Sequence, residues 1–332
     1  MALLLAADLG GTHARVRLAS LGSGALETLR EEVYLAVDHV DFYAVLEVFL
    51  ADAPPIDVAS LAVAGPIVDA AVKLTNLPWR ISAETLRKRF GIADVILIND
   101  FAALAYGVDS LEDSQHLCLQ PGRKDPAAVA AVIGAGTGLG HGFWRGSGRA
   151  IAVFATEAGH AGFAPRNEIE SALWRYLTRA YGRAMYEQIL TGPGLKRVFD
   201  FLLDRGATIS SELNGELESG DPAAVIAHHA LAGTDPTAVA ALQLFADIYA
   251  ARAGDFALSV LARRGVYIAG GIAPKILPFL QTPRFVDIFN DNPGYGHLLK
   301  TMPLYIVTEK LIGLDGASAA GRLRWQATQG YR

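Results

Sequence analysis

An apolar strand that runs into glycines and a threonine, then continues as a second strand, occurs twice in this chain. First, Ala2–Ala7 leads to Asp8-Leu9-Gly10-Gly11-Thr12, and Ala14–Leu18 returns with Val and Leu alternating with Arg15 and Arg17. Later, Ala127–Ile133 leads to Gly134-Ala135-Gly136-Thr137-Gly138-Leu139-Gly140, with Gly142–Trp144 and Ile151–Phe154 as following strands. Period-two alternation marks a half-exposed strand, and paired glycines between strands mark a tight hairpin. The repetition hints at two structurally related halves, although the two stretches share little else.

Other segments alternate between strand and helix. Leu26–Leu35, Ala59–Ala64, Val72–Leu74, Val95–Ile98, Val266–Ala269 and Leu304–Val307 read as strands. Asp41–Ala53 and Glu168–Tyr181 have the apolar period of amphipathic helices, the latter with Leu173, Tyr176, Leu177 and Tyr181 on one face. Ser82 suits the cap of a helix through Phe90 that Gly91 stops. Ala184–Arg264 is largely helical with breaks at Gly192-Pro193-Gly194, Gly220-Asp221-Pro222 and Asp235-Pro236, and Ala238–Leu261 is its strongest helix. Thr75–Trp79 reads as a loop and Ala317–Ala327 as a closing helix. The expected class is α/β.

Composition removes several functions. A chain of 332 residues, 52% hydrophobic and 19% charged, has ample core for one large domain or two. Net charge is −5 without a Lys/Arg block, which argues against a nucleic-acid or membrane surface. Cys118 is the one cysteine, excluding a disulfide framework and any multi-cysteine zinc site. The first residues lack a basic flank, and Asp8 interrupts their apolar run; the uncharged stretch Pro126–Trp144 is too glycine-rich for a membrane span. The expected location is the cytoplasm.

Glycine turns after strands can present backbone N–H groups to an anion without side-chain obstruction. Two such turns, each with a threonine hydroxyl, suit the two sides of a polyphosphate, with Gly10, Gly11, Thr12, Gly134, Gly136, Thr137 and Gly138 as candidate contacts. Neither is a P-loop, because no Gly-Lys-Ser/Thr follows, and the second lacks the dinucleotide pattern. Asp8 is placed to orient Mg²⁺ through water, or else to stabilise its turn. A third turn, Gly270-Gly271, follows the strand Val266–Ala269; its small residues admit an adenine ring, and equally suit an ordinary strand-to-helix turn. Asn99 and Asp100 end the buried run Val95–Ile98 before an Ala/Leu-rich helix. They read either as helix caps or as a polar pair at the mouth of an α/β sheet, where Asp100 is a candidate proton acceptor.

Taken together, Asp8-Leu9-Gly10-Gly11-Thr12, Ile98-Asn99-Asp100-Phe101, Gly134–Gly140, Glu157-Ala158-Gly159-His160, Gly192-Pro193-Gly194 and Tyr267-Ile268-Ala269-Gly270-Gly271-Ile272 resemble bacterial glucokinases of the hexokinase-like family. The resemblance spans nearly the whole chain in family order. It implies the two-domain fold of the sugar kinase, actin and heat-shock chaperone superfamily, with ATP and glucose in a cleft between a smaller α/β domain (1–109 and 312–332) and a larger α+β domain (110–311). It further implies that Asn99, Asp100, Glu157, His160 and Glu187 touch glucose, that Asp100 accepts the C6 hydroxyl proton, and that the chain forms a homodimer. Without the resemblance, Glu187 would read as an exposed helix charge. Thr156, Gly65 and the segment Glu309–Ala317 depart from the usual family residues. Alternatives are a kinase for another hexose or aminosugar and a non-catalytic sugar sensor. The latter is disfavoured because the chain opens on its first strand and keeps Asp100.

Overall fold

The computed structural model describes residues 2–22, 26–75 and 77–329, so Asn76 in the expected Thr75–Trp79 loop and the outermost residues of the expected smaller domain lie outside the described residues. The chain divides into two compact units, one of residues 1–113, 144–155 and 309–332, the other of 114–143 and 156–308. The first unit thus takes in 144–155 besides the stretches expected for it.

In the first unit, β1 (Ala2–Leu9), β2 (His13–Leu21), β3 (Glu27–Leu35), β4 (Val58–Val63) and a later strand, Asp94–Asn99, form one sheet. β1 and β2 are the expected antiparallel hairpin, with Leu9 opposite Ala14. Between β3 and β4 lies α1 (Phe42–Phe49), capped by Asp41, whose carboxylate accepts from Ala44 N. It is shorter than the expected Asp41–Ala53; Pro54 follows closely and disfavours helical backbone before it. β5 (Ile67–Val68) and β7 (Arg80–Ser82), which sequence period did not resolve, flank β6 (Ala71–Lys73), one residue off the expected Val72–Leu74, in a small antiparallel sheet. Helix α2 (Ala83–Phe90) starts where Ser82 accepts from Thr85 N and stops at left-handed Gly91. The Asp94–Asn99 strand is β8, and α3 (Asp100–Asp109) follows without a loop.

The order β3-β2-β1-β4-β8 places β1, β4 and β8 parallel, with Leu9, Val63 and Asn99 in register. Leu5, Leu9 and Leu61 pack with Phe42, Leu46 and Phe49 of α1 on one face. Ala6, Ala62, Ala103, Leu314 and Ala317 fill the other.

The remaining chain carries a six-stranded sheet, built from β9 (His116–Gln120), β10 (Ala130–Ala135), β11 (Leu139–Arg145), β12 (Ala152–Thr156), β13 (Gly265–Ala269) and β14 (Leu304–Val307), in the order β12-β11-β10-β13-β14-β9. Helices α4 (Glu168–Tyr181), α5 (Gly192–Asp204), α6 (Ser211–Ser219), α7 (Pro222–Ala232), α8 (Pro236–Val260), α9 (Leu277–Leu280), α10 (Pro283–Phe289) and α11 (Gly296–Leu299) belong to the second unit. Of the apolar face expected on α4, Leu173 and Leu177 are buried but Tyr181 is exposed. Helix α8 runs through the core, burying Phe245, Tyr249, Ala253 and Phe256.

The chain returns to the first unit as α12 (Ile312–Gln329), which begins earlier than the expected Ala317. It lies against α3 so closely that a Cβ on Gly316 would collide with the Ala103 carbonyl, and one on Gly107 with that of Ile312. Among the described residues no helix is long and apolar enough to cross a membrane.

Candidate functional site

Three parallel strands of the first unit end at one edge, and that edge gathers Asp8, Gly10, Asn99 and Asp100. This is the carboxyl edge, where open α/β sheets bind ligands. Asn99 is the cap of α3: its Oδ1 accepts from Phe101 N at 2.9 Å and Ala102 N at 3.3 Å. The capping role is therefore real for Asn99, and it uses the amide oxygen but not the Nδ2 donor. Asp100 is the first residue of α3, half-buried, with Oδ1 accepting from Phe101 N at 3.0 Å. A carboxylate at a helix N-terminus also gains from the helix dipole.

Asp8 lies within β1 and pairs with Arg15 Nη1 at 3.4 Å. Burial raises its pKa, while the charge and hydrogen bond of Arg15 lower it. The first turn of α12 comes against the same carboxylate, since a Cβ on Gly313 would stand 2.8 Å from Asp8 Oδ2. Gly10 N donates to His13 O at 3.1 Å, closing the hairpin ahead of exposed Thr12.

In the second unit, β10 and β13 run parallel with Gly134 opposite Ala269, so both glycine turns leave the same edge side by side. Gly134 belongs to β10, and the turn proper is Gly136–Gly138, where Gly136 N donates to Gly138 O at 2.9 Å. Gly270 has φ +85°, and a Cβ there would meet the Ala135 backbone, so this glycine is required by close approach whatever it binds. Buried Tyr249 ties both strand ends together: its hydroxyl accepts from Ala135 N and donates toward Ile133 O or Ala269 O. The amino end of α5, capped by Thr191, is joined to the turn by Gly192 N donating to Gly136 O at 3.0 Å. The glycine turn and the positive end of the α5 dipole thus meet at one spot, an environment that favours negative charge.

Glu157, His160 and Glu187 also meet. His160 Nε2 is 3.9 Å from Glu157 Oε2, and its Nδ1 is 3.7 Å from Glu187 Oε1. Glu157 precedes and His160 ends the single 3-10 turn Ala158–His160, on which Gly159 is pressed against the Leu139 carbonyl. Glu187 sits in a 3-10 turn, Tyr186–Gln188, and its Oε2 accepts from Leu139 N at 3.1 Å. Leu139 immediately follows the Gly136–Gly138 turn, so the carboxylate is bonded to the rim of that turn.

Sequence reasoning missed Arg252 and undervalued Thr156. Arg252, on α8, donates to His141 Nε2 at 3.1 Å and to Ala158 O at 3.0 Å. Thr156 Oγ1 donates to His141 O and accepts from Ala158 N. The available signal was a lone charge inside Ala250-Ala251-Arg252-Ala253-Gly254. Among the described residues no three His, Cys, Asp or Glu side chains form a metal cage.

Comparison with known proteins agrees with this geometry. A family model described as Glucokinase matches residues 5–323. A glucokinase of Nostoc sp. is 41% identical, over 97% of this chain and 100% of that protein. The crystal structure of a glucokinase from an Antarctic psychrotroph superposes with a TM-score of 0.81 at 28% identity, covering 97% of this chain and 99% of that one. That of the Balamuthia mandrillaris glucokinase in complex with glucose has a TM-score of 0.80 at 22% identity, covering 97% and 94%. With a match over nearly its whole length and the two-domain actin-like ATPase fold of those structures, the chain belongs to the glucokinase family.

Proposed function

We propose that this enzyme transfers the γ-phosphoryl group of ATP to the C6 hydroxyl of glucose, giving glucose 6-phosphate and ADP. The observation that carries the reading is the bond from Leu139 N to Glu187 Oε2: it ties a carboxylate suited to sugar hydroxyls to the rim of a glycine turn suited to phosphate. Two carboxylates and an imidazole can accept from and direct a ring of hydroxyls. Asn99 adds an amide donor.

Asp100 takes the C6 hydroxyl proton as that oxygen attacks the γ-phosphorus; the new O–P bond forms while the bond to the β-phosphate oxygen breaks. Phosphoryl transfer asks mainly for positioning and charge stabilisation. The amides of Gly11 and Gly138, with the Thr12 and Thr137 hydroxyls, hold the polyphosphate; Gly10, Gly134 and Gly136, two of whose N–H groups close their own turns, let it approach without side-chain obstruction, and Gly270-Gly271 lies beside adenine. Asp8 is a hard oxygen donor with no carboxylate cage around it among the described residues, which suits Mg²⁺ that would be held chiefly by phosphate oxygens and water. Bound Mg²⁺ supplies charge neutralisation on those oxygens.

The reading extends to a cytoplasmic, glycolytic homodimer with no nucleic-acid or membrane partner, and to functional domains of 1–109 with 312–332 against 110–311. Purified protein with ATP, Mg²⁺ and a hexose panel, assayed for sugar 6-phosphate and ADP, tests the activity. Glucose should be phosphorylated at C6. Sugar binding without phosphoryl transfer would overturn the enzyme reading and favour a sensor.

A further inference from the structure

Arg252 is a charge inside the core of the second unit, 8% exposed, on a helix buried for most of its length. Burial lowers its pKa, which records how unfavourable the site is for a cation. A buried charge persists where its hydrogen bonds are made. Here the guanidinium is held on three sides: Nε donates to His141 Nε2, Nη2 donates to Ala158 O, and its Cζ lies 4.7 Å from the Tyr186 ring centre. Asp255, one turn along α8, adds an attractive charge.

Those partners share one property. Ala158 stands between Glu157 and His160, and Tyr186 immediately precedes Glu187. His141 completes the frame, because its carbonyl accepts from Thr156, whose hydroxyl in turn accepts from Ala158 N. The Ala158 peptide is therefore gripped from both sides, by Arg252 at its carbonyl and by Thr156 at its N–H. His141 is buried and neutral, with its pKa pushed well down by burial and by Arg252. Accepting at Nε2 leaves its proton on Nδ1.

We infer that Arg252 is a positioning residue for sugar recognition: one buried guanidinium sets the spacing of Glu157, His160 and Glu187 through the Ala158 carbonyl and the Tyr186 ring. This rests on the proposed sugar clamp and deepens it. A shift of about 1 Å in a recognition group can reduce turnover of its substrate by about 100-fold.

The test uses the full chain with Arg252→Gln, Arg252→Lys, Glu157→Ala and the double variant Glu157→Ala/Arg252→Gln. For Arg252→Gln, kcat/KM for glucose should fall about 10- to 100-fold, mostly through KM, with KM for ATP within about twofold of wild type. Discrimination between glucose and its epimers should fall too. Arg252→Lys should be intermediate, because an ammonium is a point donor that cannot reproduce the planar fork. Residues in one network are non-additive, so Arg252→Gln should cost less in the Glu157→Ala background than in the wild type, with the remaining loss coming from His160 and Glu187.

A parallel rise in both KM values, or effects that multiply in the double variant, would reduce Arg252 to a structural residue. If Arg252→Gln does not fold, Arg252→Lys decides: wild-type glucose KM and epimer discrimination in the lysine variant overturn the inference. A silent Glu157→Ala would instead sink the clamp itself. An effective Glu157→Ala with a silent Arg252→Gln would sink the positioning role alone.

Discussion

Asp8 and Arg15 face each other across the first hairpin as direct register partners, with Arg15 Nη1 donating to Asp8 Oδ2 at 3.4 Å. Burial raises the Asp8 pKa and outweighs the arginine. With the folded pKa raised above its ordinary 3.8, the Asp8 contribution to stability is full below that pH and is lost as pH rises through the folded value. Above its folded pKa the ionised carboxylate is thus kept against stability. Asp8→Asn should leave ligand-free stability equal to wild type or higher by about 0.5–2 kcal/mol. It should also weaken the fall in stability above pH 3.8. Use of Mg²⁺-ATP should drop sharply. Thermal unfolding across pH, with ATP kinetics at several Mg²⁺ concentrations, checks both halves.

Asp100→Asn keeps the shape of the α3 amino terminus and removes the proton-accepting oxygen. We expect kcat to fall by roughly 10²–10⁴-fold with a much smaller change in glucose affinity. Steady-state kinetics and glucose titration decide the matter; kcat within about threefold of wild type would remove Asp100 from the base role.

The glycines separate by what a Cβ would meet. At Gly10 the nearest contact would be His13 O at 3.7 Å, and at Gly136 it would be Gly138 O at 3.9 Å, so neither fold needs the glycine. Gly10→Ala and Gly136→Ala should therefore melt near wild type yet raise KM for ATP. Gly270→Ala, at φ +85° and against Ala135, should destabilise by about 1–3 kcal/mol. Melting curves and ATP kinetics on all three give the comparison; normal ATP kinetics in the first two would leave their turns as plain hairpins.

Glu157 and His160 should set the sugar preference. Glu157→Ala should reduce glucose kcat/KM by about 5- to 150-fold, the worth of one unmet buried hydrogen bond, with KM for ATP nearly intact. Mannose, galactose and N-acetylglucosamine, measured beside glucose with the wild type, should be used less well by at least that factor. Equal rates across the panel would end the clamp's role in specificity.

Much of the fold was legible because its signals are local. The hairpin at Gly10-Gly11, the Ser82 cap with the Gly91 stop, helix α4 and strand β14 follow from period, capping and turn chemistry acting within a few residues. Strands β5 and β7 carry too few residues for a period to emerge, and β9, an edge strand with polar His116 and Gln120 at its ends, lacks the buried apolar run that marks β14.

The site divides on the same line. The sequence by itself determined which residue types stand at strand ends: Asp8, the Asn99-Asp100 pair and the two glycine turns. It left Asn99 between cap and ligand group, and made Glu187 an isolated surface charge. Tertiary structure decided that Asn99 caps and keeps a donor, and that Leu9, Val63 and Asn99 share one edge. It also turned Glu187 onto Leu139 N, 48 residues away, and brought Arg252 to His141 and Ala158, 111 and 94 residues away. The reason is one of range. Backbone preference and hydrophobic period act over a turn or two of chain, whereas the partners of a buried charge are chosen by whichever distant segments the core packs beside it.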